Sequence, residues 1–366
     1  MRTVREGSAT LKIDDGVFYN PKMSKLRDVS VIFLRAMGLK RAKLLDATAA
    51  TGIRGIRYCL ESGIADTTML DINPKAYRNA RSNARLNKIK AHVIGESLQE
   101  FAGSSHDAFD VIDIDPFGSP APMVHDALKL SKDGTLMMIT ATDTATLCGA
   151  EGPACLRIYG SMPMHNELCH ESSVRILLSF VAREAAQFNF GIEPLLSIAD
   201  MHYVRVFLRL RRGAAQATES VKASGFAACC SRCHAFAFKK GIAQSVLEKC
   251  VNCGAEMRAY GPMWLGNLKD QGTVVGMLKE SRAYPETSAD FVRGLSDELD
   301  IQFFYSVSKI TSYLKTGSVP MQQVIDALGK RHRVSRTQFD NYSLKTDASL
   351  REVIKAVKSA RRASRE

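Results

Sequence analysis

The sequence predicts an α/β fold: a largely parallel sheet with helices on its faces, then a small cysteine-bearing insert and a basic C-terminal α+β region. Three observations predict it. Short apolar runs of β type alternate with helical stretches over residues 1–212. Two Cys-x-x-Cys pairs stand close together within 221–262. Residues 263–366 read as helices with short strand candidates and carry an excess of basic side chains.

Taken in order, the strand candidates are 43–47, 67–71, 92–95, 109–115 and 135–141, with helices between the first four. Pro120 opens a further helix to about 131, since proline suits a first helical turn. The rhythm then changes: 164–190 reads as one long helix, and 192–199 and 202–210 as strands joined tightly at Asp200. A late antiparallel pair on a parallel sheet is common in mixed sheets. Residues 213–220 are small and polar and read as a linker. The predicted domains are therefore 1–212, 221–262 and 263–366, in keeping with a length of 366 residues.

Composition narrows the classes. No run of ~18 apolar residues suggests a membrane-spanning helix. The stretch Met1 to Gly7 carries charge and no apolar core of a signal peptide, so a cytoplasmic protein is expected. Nine cysteines, an odd count, argue for reduced thiols and a metal site over a disulfide framework. The formal net charge is +12, and residues 320–366 hold 11 Lys/Arg against 5 Asp/Glu. Such an excess favours a polyanionic partner.

The segment Leu44-Leu45-Asp46-Ala47-Thr48-Ala49-Ala50-Thr51-Gly52-Ile53-Arg54-Gly55 is a strand, a turn of small residues and a helix start. Small residues admit a ligand to the backbone, and a helix start offers free N–H groups. Asp71 follows the next strand about 20 positions on, placed to accept both ribose hydroxyls of a nucleoside. The next strand leads to Glu96 and Ser97, where an adenine amino group can be bound. Three polar strand ends in succession point to a nucleoside cofactor.

The run Phe109-Asp110-Val111-Ile112-Asp113-Ile114-Asp115-Pro116-Phe117-Gly118 is a buried strand ending in Asp-Pro-Phe-Gly. That ending suits methyl transfer to an amine on a nucleobase. The lone pair of such an amine is delocalised into the ring, so it is a poor nucleophile. A carboxylate at Asp115 accepting its N–H hydrogen bond concentrates charge on nitrogen and can help remove the proton. Pro116 lacks an N–H, and the local carbonyl is a candidate second acceptor. Phe117 can stack on the base. Asp113 is expected to be buried and structural. Upstream, Phe18 or Tyr19 is placed to close over a flipped base from the other side, and Arg27 to meet a cofactor carboxylate. The same residues fit an amine of a DNA base, adenine N6 or cytosine N4. A non-catalytic RNA-binding protein with a vestigial pocket is the reading from another class.

Cys230-Ser231-Arg232-Cys233 and Cys250-Val251-Asn252-Cys253 suit a tetrahedral, structural Zn²⁺ held by four thiolates, with Cys229 as an alternative to Cys230. His234 and Gly254 fit knuckle-like turns after the pairs. Arg78, Arg81, Arg85 and Lys88 form a stripe at helical spacing. Residues 306–314 and 321–330 read as two helices preceding basic residues from Arg331 to Arg336 and Lys345, a winged-helix-like order with cations for an RNA backbone, and the tail 358–365 is basic.

Taken together, Glu6-Gly7, Phe18-Tyr19-Asn20-Pro21-Lys22-Met23, the turn from Asp46 to Gly55, Asp113-Ile114-Asp115-Pro116-Phe117-Gly118-Ser119-Pro120 and Gly261-Pro262-Met263-Trp264 resemble the archaeal and eukaryotic tRNA guanine-26 N2-dimethyltransferases over nearly the whole chain. The resemblance implies a Rossmann-like S-adenosylmethionine methyltransferase domain with a zinc-ribbon-like insert. It implies mono- then dimethylation of the exocyclic N2 of guanine 26, with tRNA as the partner; the chain is expected to be a monomer. It implies that Arg27, Arg54, Asp71, Glu96 and Ser97 bind S-adenosyl-L-methionine. Asp115, beside Pro116, would be the catalytic carboxylate, and Phe18 and Phe117 would sandwich the guanine.

Overall fold

Residues 2–39, 41–200, 202–242 and 245–363 are described by a computed structural model, apart from the side chain of Ala363; Met1 and the end of the basic tail lie outside the described residues. The main sheet is built from β1 (Lys43–Asp46), β2 (Asp66–Leu70), β3 (Ala91–Ile94), β4 (Phe109–Ile114), β5 (Ser131–Ala141), β6 (Phe190–Asp200) and β7 (Tyr203–Arg212). Its order is β3-β2-β1-β4-β5-β7-β6. The first five strands are parallel and β7 runs antiparallel to both its neighbours. The central strands are apolar on both faces because helices cover both. Leu44, Leu45, Ile112 and Ile114 are wholly buried, each contributing about 1.5–3 kcal/mol. The chain reverses direction across the sheet between β1 and β4, and the crevice beyond the carboxyl ends of strands at such a point is where ligands bind.

Local chemistry sets the helix boundaries. Gly52 caps helix Ile53–Ser62 with φ 80°, and a Cβ on Gly55 would lie 2.6 Å from Met69 Cε, so this turn needs both glycines. Asn73 caps helix Pro74–Leu86 by accepting from Lys75 N, and Ala76, Ala80 and Ala84 are its buried face. The expected long helix runs only from Cys169 to Ala186; Asn189, at φ 57°, breaks the chain into β6. Residues 213–220 do not form a linker. Gly213 stands at the N-cap and 214–220 lie in helix Ala214–Lys222, since alanine-rich chain is a good helix former, and Ser220 Oγ accepts from Ile192 N at 2.9 Å to seat it on β6.

An N-terminal hairpin, Arg2–Glu6 with Ala9–Ile13, packs Ala9, Leu11 and Ile13 against Ile53, Ile56 and Met69. The insert is a three-stranded antiparallel sheet of Ser224–Cys230, Phe236–Lys240 and Met257–Trp264. In the C-terminal region, helices Val307–Tyr313 and Met321–Gly329 precede the hairpin Val334–Arg336 with Ser343–Thr346, which matches the helix–helix–wing order expected. Lys345 is not on an RNA-facing surface. It is buried, with Nζ 3.3 Å from Glu171 and 3.4 Å from Glu298. Glu171 also accepts from Arg175 and from Phe303 N, and Arg175 Nη1 donates to the carbonyls of Trp264 and Gly266. One buried ionic cluster thus joins the sheet domain, the insert and the C-terminal region. Among the described residues no helix is long and apolar enough to cross a membrane.

Candidate active site

A cavity of about 1120 Å³ opens at the carboxyl ends of β1 to β4. Phe18, Arg27, Arg54, Asp71, Glu96, Ser97, Asp115, Pro116 and Phe117 all line it. Small-molecule sites run roughly 300–1,000 Å³, so this one has room for a nucleoside and a second ring.

The small-residue turn after β1 is held beneath the cavity by Asp71. Its Oδ2 accepts from Ala50 N at 2.8 Å and its Oδ1 from Asn73 N at 2.9 Å. Each carboxylate oxygen keeps a second lone pair for a ligand. Beside it Ile72 is 68% exposed and lines the same cavity. An apolar residue in a polar turn is the one sequence signal that marks it. Glu96 and Ser97 lie at the end of β3, but the Ser97 side chain is already used. It caps helix Leu98–Ser104 in a capping box with Glu100.

Arg27 arises from helix Ser24–Met37 and binds Glu6 of the hairpin through Nε at 2.7 Å and Nη2 at 2.5 Å. Nη2 also donates to Asn20 O. Tyr19 Oη donates to the same Glu6 at 2.8 Å, and its phenol is pushed up to about 12 by burial and the Glu6 carboxylate. Burial alone would raise Glu6, but Arg27 and Arg57 outweigh it and hold the carboxyl below its usual range.

Asp115 sits at the tip of β4. Arg54 grips its Oδ2 through Nε at 2.6 Å and Nη2 at 2.5 Å, and Asp115 N donates to Thr48 Oγ1 at 3.1 Å. Burial tends to raise this carboxyl. The charges of Arg54 and Arg205 and a hydrogen bond to Thr140 prevail and hold it below the ordinary carboxylate range. It is therefore an anion throughout the neutral range. Arg54, expected among cofactor ligands, is thus placed primarily as the partner of Asp115. Behind it Asp113 is wholly buried and accepts from Tyr58 Oη at 2.5 Å and Arg205 Nη2 at 2.9 Å. Asp46 lies level with Asp113 on β1, and burial followed by the Asp113 charge pushes it up to about 7. Tyr58, Thr140 and Arg205 escape a reading of the sequence because they come from other elements.

Phe117 and Phe18 stand at the mouth, 75% and 51% exposed. Their rings meet edge to face with centroids 4.5 Å apart and planes at 80°. The turn carrying Phe117 is pinned by Gly118 N donating to Thr142 Oγ1 at 2.7 Å, and by Ser119 Oγ against Tyr159 Oη at 2.7 Å.

In the insert, Cys230, Cys233, Cys250 and Cys253 bring their sulfurs together. Sγ–Sγ distances are 3.5 Å for Cys230–Cys253 and 3.4 Å for Cys233–Cys250, close to the edge of a tetrahedron around a metal held by ~2.3 Å bonds. Cys233 N and Asn252 N point at Cys230 and Cys250 sulfurs, and His234 and Gly254 take φ of 59° and 73°. Cys229 faces the other way, toward Met164.

A profile of the N2,N2-dimethylguanosine tRNA methyltransferases matches residues 2–358. The chain is 37% identical to the tRNA (guanine(26)-N(2))-dimethyltransferase of Methanothermobacter thermautotrophicus, covering 96% of this chain and 97% of that one. It is 34% identical to the enzyme of the same name from Thermococcus kodakarensis, covering 97% and 98%. Trm1 from Pyrococcus horikoshii, solved in complex with S-adenosyl-L-methionine, superposes with a TM-score of 0.90 at 32% identity over 97% of this chain and 99% of that one.

Proposed function

The chain belongs to the N2,N2-dimethylguanosine tRNA methyltransferase family, and from that premise we propose that its cavity transfers methyl groups from S-adenosylmethionine to the exocyclic N2 of guanine 26 in tRNA. The observation that carries the reading is the convergence of Asp115, Phe117 and Phe18 on the same cavity as Asp71 and Arg27.

S-adenosylmethionine supplies an electrophilic methyl on a sulfonium. Asp71 and Ile72 suit the ribose and adenine of such a molecule, the first by its remaining lone pairs and the second by apolar contact. Arg27 keeps Nη1 for a carboxylate, since Nε and Nη2 are committed to Glu6 among the described residues. Glu96 offers an acceptor, and Ser97 lines the cavity beside it with its hydroxyl and N–H committed to Glu100.

Asp115 accepts the N2–H hydrogen bond and raises the electron density on nitrogen. N2 attacks the methyl carbon, the carbon–sulfur bond breaks with its electron pair going to sulfur, and the proton leaves N2 by way of Asp115. Arg54 fixes the orientation of that carboxylate. Because it also keeps Asp115 a weak base, the main contribution is alignment and charge rather than strong basicity.

Guanine must enter between two rings that now touch. Bases stack ~3.4 Å apart, so a ring between two phenyls needs them about 7 Å apart. Parting the pair costs about 0.5–1.5 kcal/mol. Each new stacked face returns about 1–3 kcal/mol, so entry is favourable once the base is extruded.

The four cysteines of the insert fit a structural zinc ion, which leaves no position for water. Cys233→Ser is expected to lower the melting temperature and remove that ion, and unchanged melting with no zinc in the parent protein would refute the assignment. The reaction itself is tested by incubating unmodified tRNA transcripts with labelled S-adenosylmethionine and mapping the product by mass spectrometry. N2-methyl- and N2,N2-dimethylguanosine at position 26 are expected. Label found on adenine N6 or cytosine N4, or on no base, overturns the proposal.

A further inference from the structure

A second group of metal-type ligands lies outside the insert. Cys148 ends the short helix Thr144–Leu147, and Cys169 and His170 begin helix Cys169–Ala186. One ligand atom from each lies within 4.8 Å of the other two. Cys148 Sγ is 3.8 Å from His170 Nδ1, and it donates to Cys169 O at 3.7 Å. With metal–sulfur and metal–nitrogen bonds of ~2.3 and ~2.0 Å, a tetrahedral S–N edge is roughly 3.6 Å. The Cys148–His170 edge therefore lies close to a metal-bound spacing, and the remaining edges lie within 4.8 Å.

The local chain is built to bring these groups together. Gly149, at φ 87°, passes so close to the next segment that a Cβ would lie 2.9 Å from both Met164 O and His165 Cβ. His165 Nδ1 lies 3.2 Å from Cys148 O across the same gap. Cys169 stands in the first turn of its helix, where the free N–H groups favour a thiolate.

We propose that Cys148, Cys169 and His170 form a second site for a borderline-soft divalent cation of the zinc type, with two thiolates, one imidazole and a fourth position open to water. This site differs in kind from the closed set of four thiolates. It also braces the neighbourhood of the cavity: the loop it would tether carries Asp143, which accepts from Tyr159 Oη at 2.9 Å, and Tyr159 meets Ser119 behind Phe117.

The test is metal stoichiometry on the full chain, loaded with excess Zn²⁺ under reducing conditions, desalted and measured by plasma mass spectrometry. The parent is expected to hold two ions per chain. Cys148→Ser and His170→Asn are each expected to hold one, while Cys233→Ser loses the other. His170→Asn leaves both thiols in place and carries the test should Cys148→Ser fail to fold. Two ions retained in His170→Asn and Cys148→Ser overturn the proposal. So does a parent holding a single ion that Cys233→Ser abolishes. A Cys148–Cys169 disulfide in protein prepared without reductant, together with that single ion, assigns the pair to redox chemistry instead. A single ion lost in Cys148→Ser but kept in Cys233→Ser supports this site and counts against the insert.

Discussion

Replacing Asp115 by asparagine keeps the shape of the side chain and removes its charge. In the structure Arg54 then loses a carboxylate held at 2.6 and 2.5 Å, and its next acid is Asp113 at 3.9 Å. Asparagine Oδ1 can still accept one of these bonds, so the loss of fold stability stays near the ~1–2 kcal/mol of a weakened charged hydrogen bond. Catalysis suffers more, because the amide neither carries the charge that polarises N2–H nor takes the proton. Positioned acid–base groups contribute about 10²–10⁴-fold. The single-turnover rate should fall by that factor, or ~3–5 kcal/mol of barrier. Binding of S-adenosylmethionine, measured by calorimetry, should change by less than about tenfold, the worth of one neutral hydrogen bond. A variant that methylates unmodified transcript within tenfold of the parent, at matched affinity, removes Asp115 from the reaction.

Three further outcomes follow from the same geometry. Arg54→Met takes away the nearer of two cations that hold Asp115 low against its burial. A base must be unprotonated, so the acidic limb of the pH–rate profile should move to higher pH. The stability that the depressed carboxyl supplies above its unfolded value, and loses as pH falls through its folded one, should shrink; an unmoved limb refutes the pairing. Phe117→Ala should weaken tRNA binding by ~1–3 kcal/mol with S-adenosylmethionine affinity intact, read by filter binding and calorimetry, whereas equal losses for both would contradict a stacking role. Lys345→Met removes one partner from a buried ion cluster and should cost about 3–5 kcal/mol in urea denaturation. Unchanged stability with weaker tRNA binding would instead restore Lys345 to the RNA surface.

What could be read from the sequence was whatever sits at consecutive positions. The strand ends at Asp71, Glu96 and Asp115 each combine an apolar run with the polar residue that stops it, and all three line the cavity. Ser97 reads in the sequence as a cofactor ligand, whereas the structure commits its hydroxyl to a capping box with Glu100. The residues that tune Asp115 were not legible. Arg205 stands in a strand with Arg209 and Arg211 on the same side, where an arginine ordinarily faces water; it is wholly buried because β7 lies inside the sheet, and its guanidinium reaches past β5 to Asp113 on β4. Glu6 likewise meets Arg27 only through the folding of the N-terminal hairpin onto helix Ser24–Met37. Lys345 reads as one more cation in a basic region, and only the three-dimensional neighbourhood of Glu171 reveals its use.

That neighbourhood rivets three parts of the chain into one piece. Glu171, answered by Arg175 and Lys345, clamps the last strand of the insert and the C-terminal wing to the helix behind the sheet. Opening the joint would strand charges in a dry interior, so the three parts hold their relative placement unless the fold itself gives way.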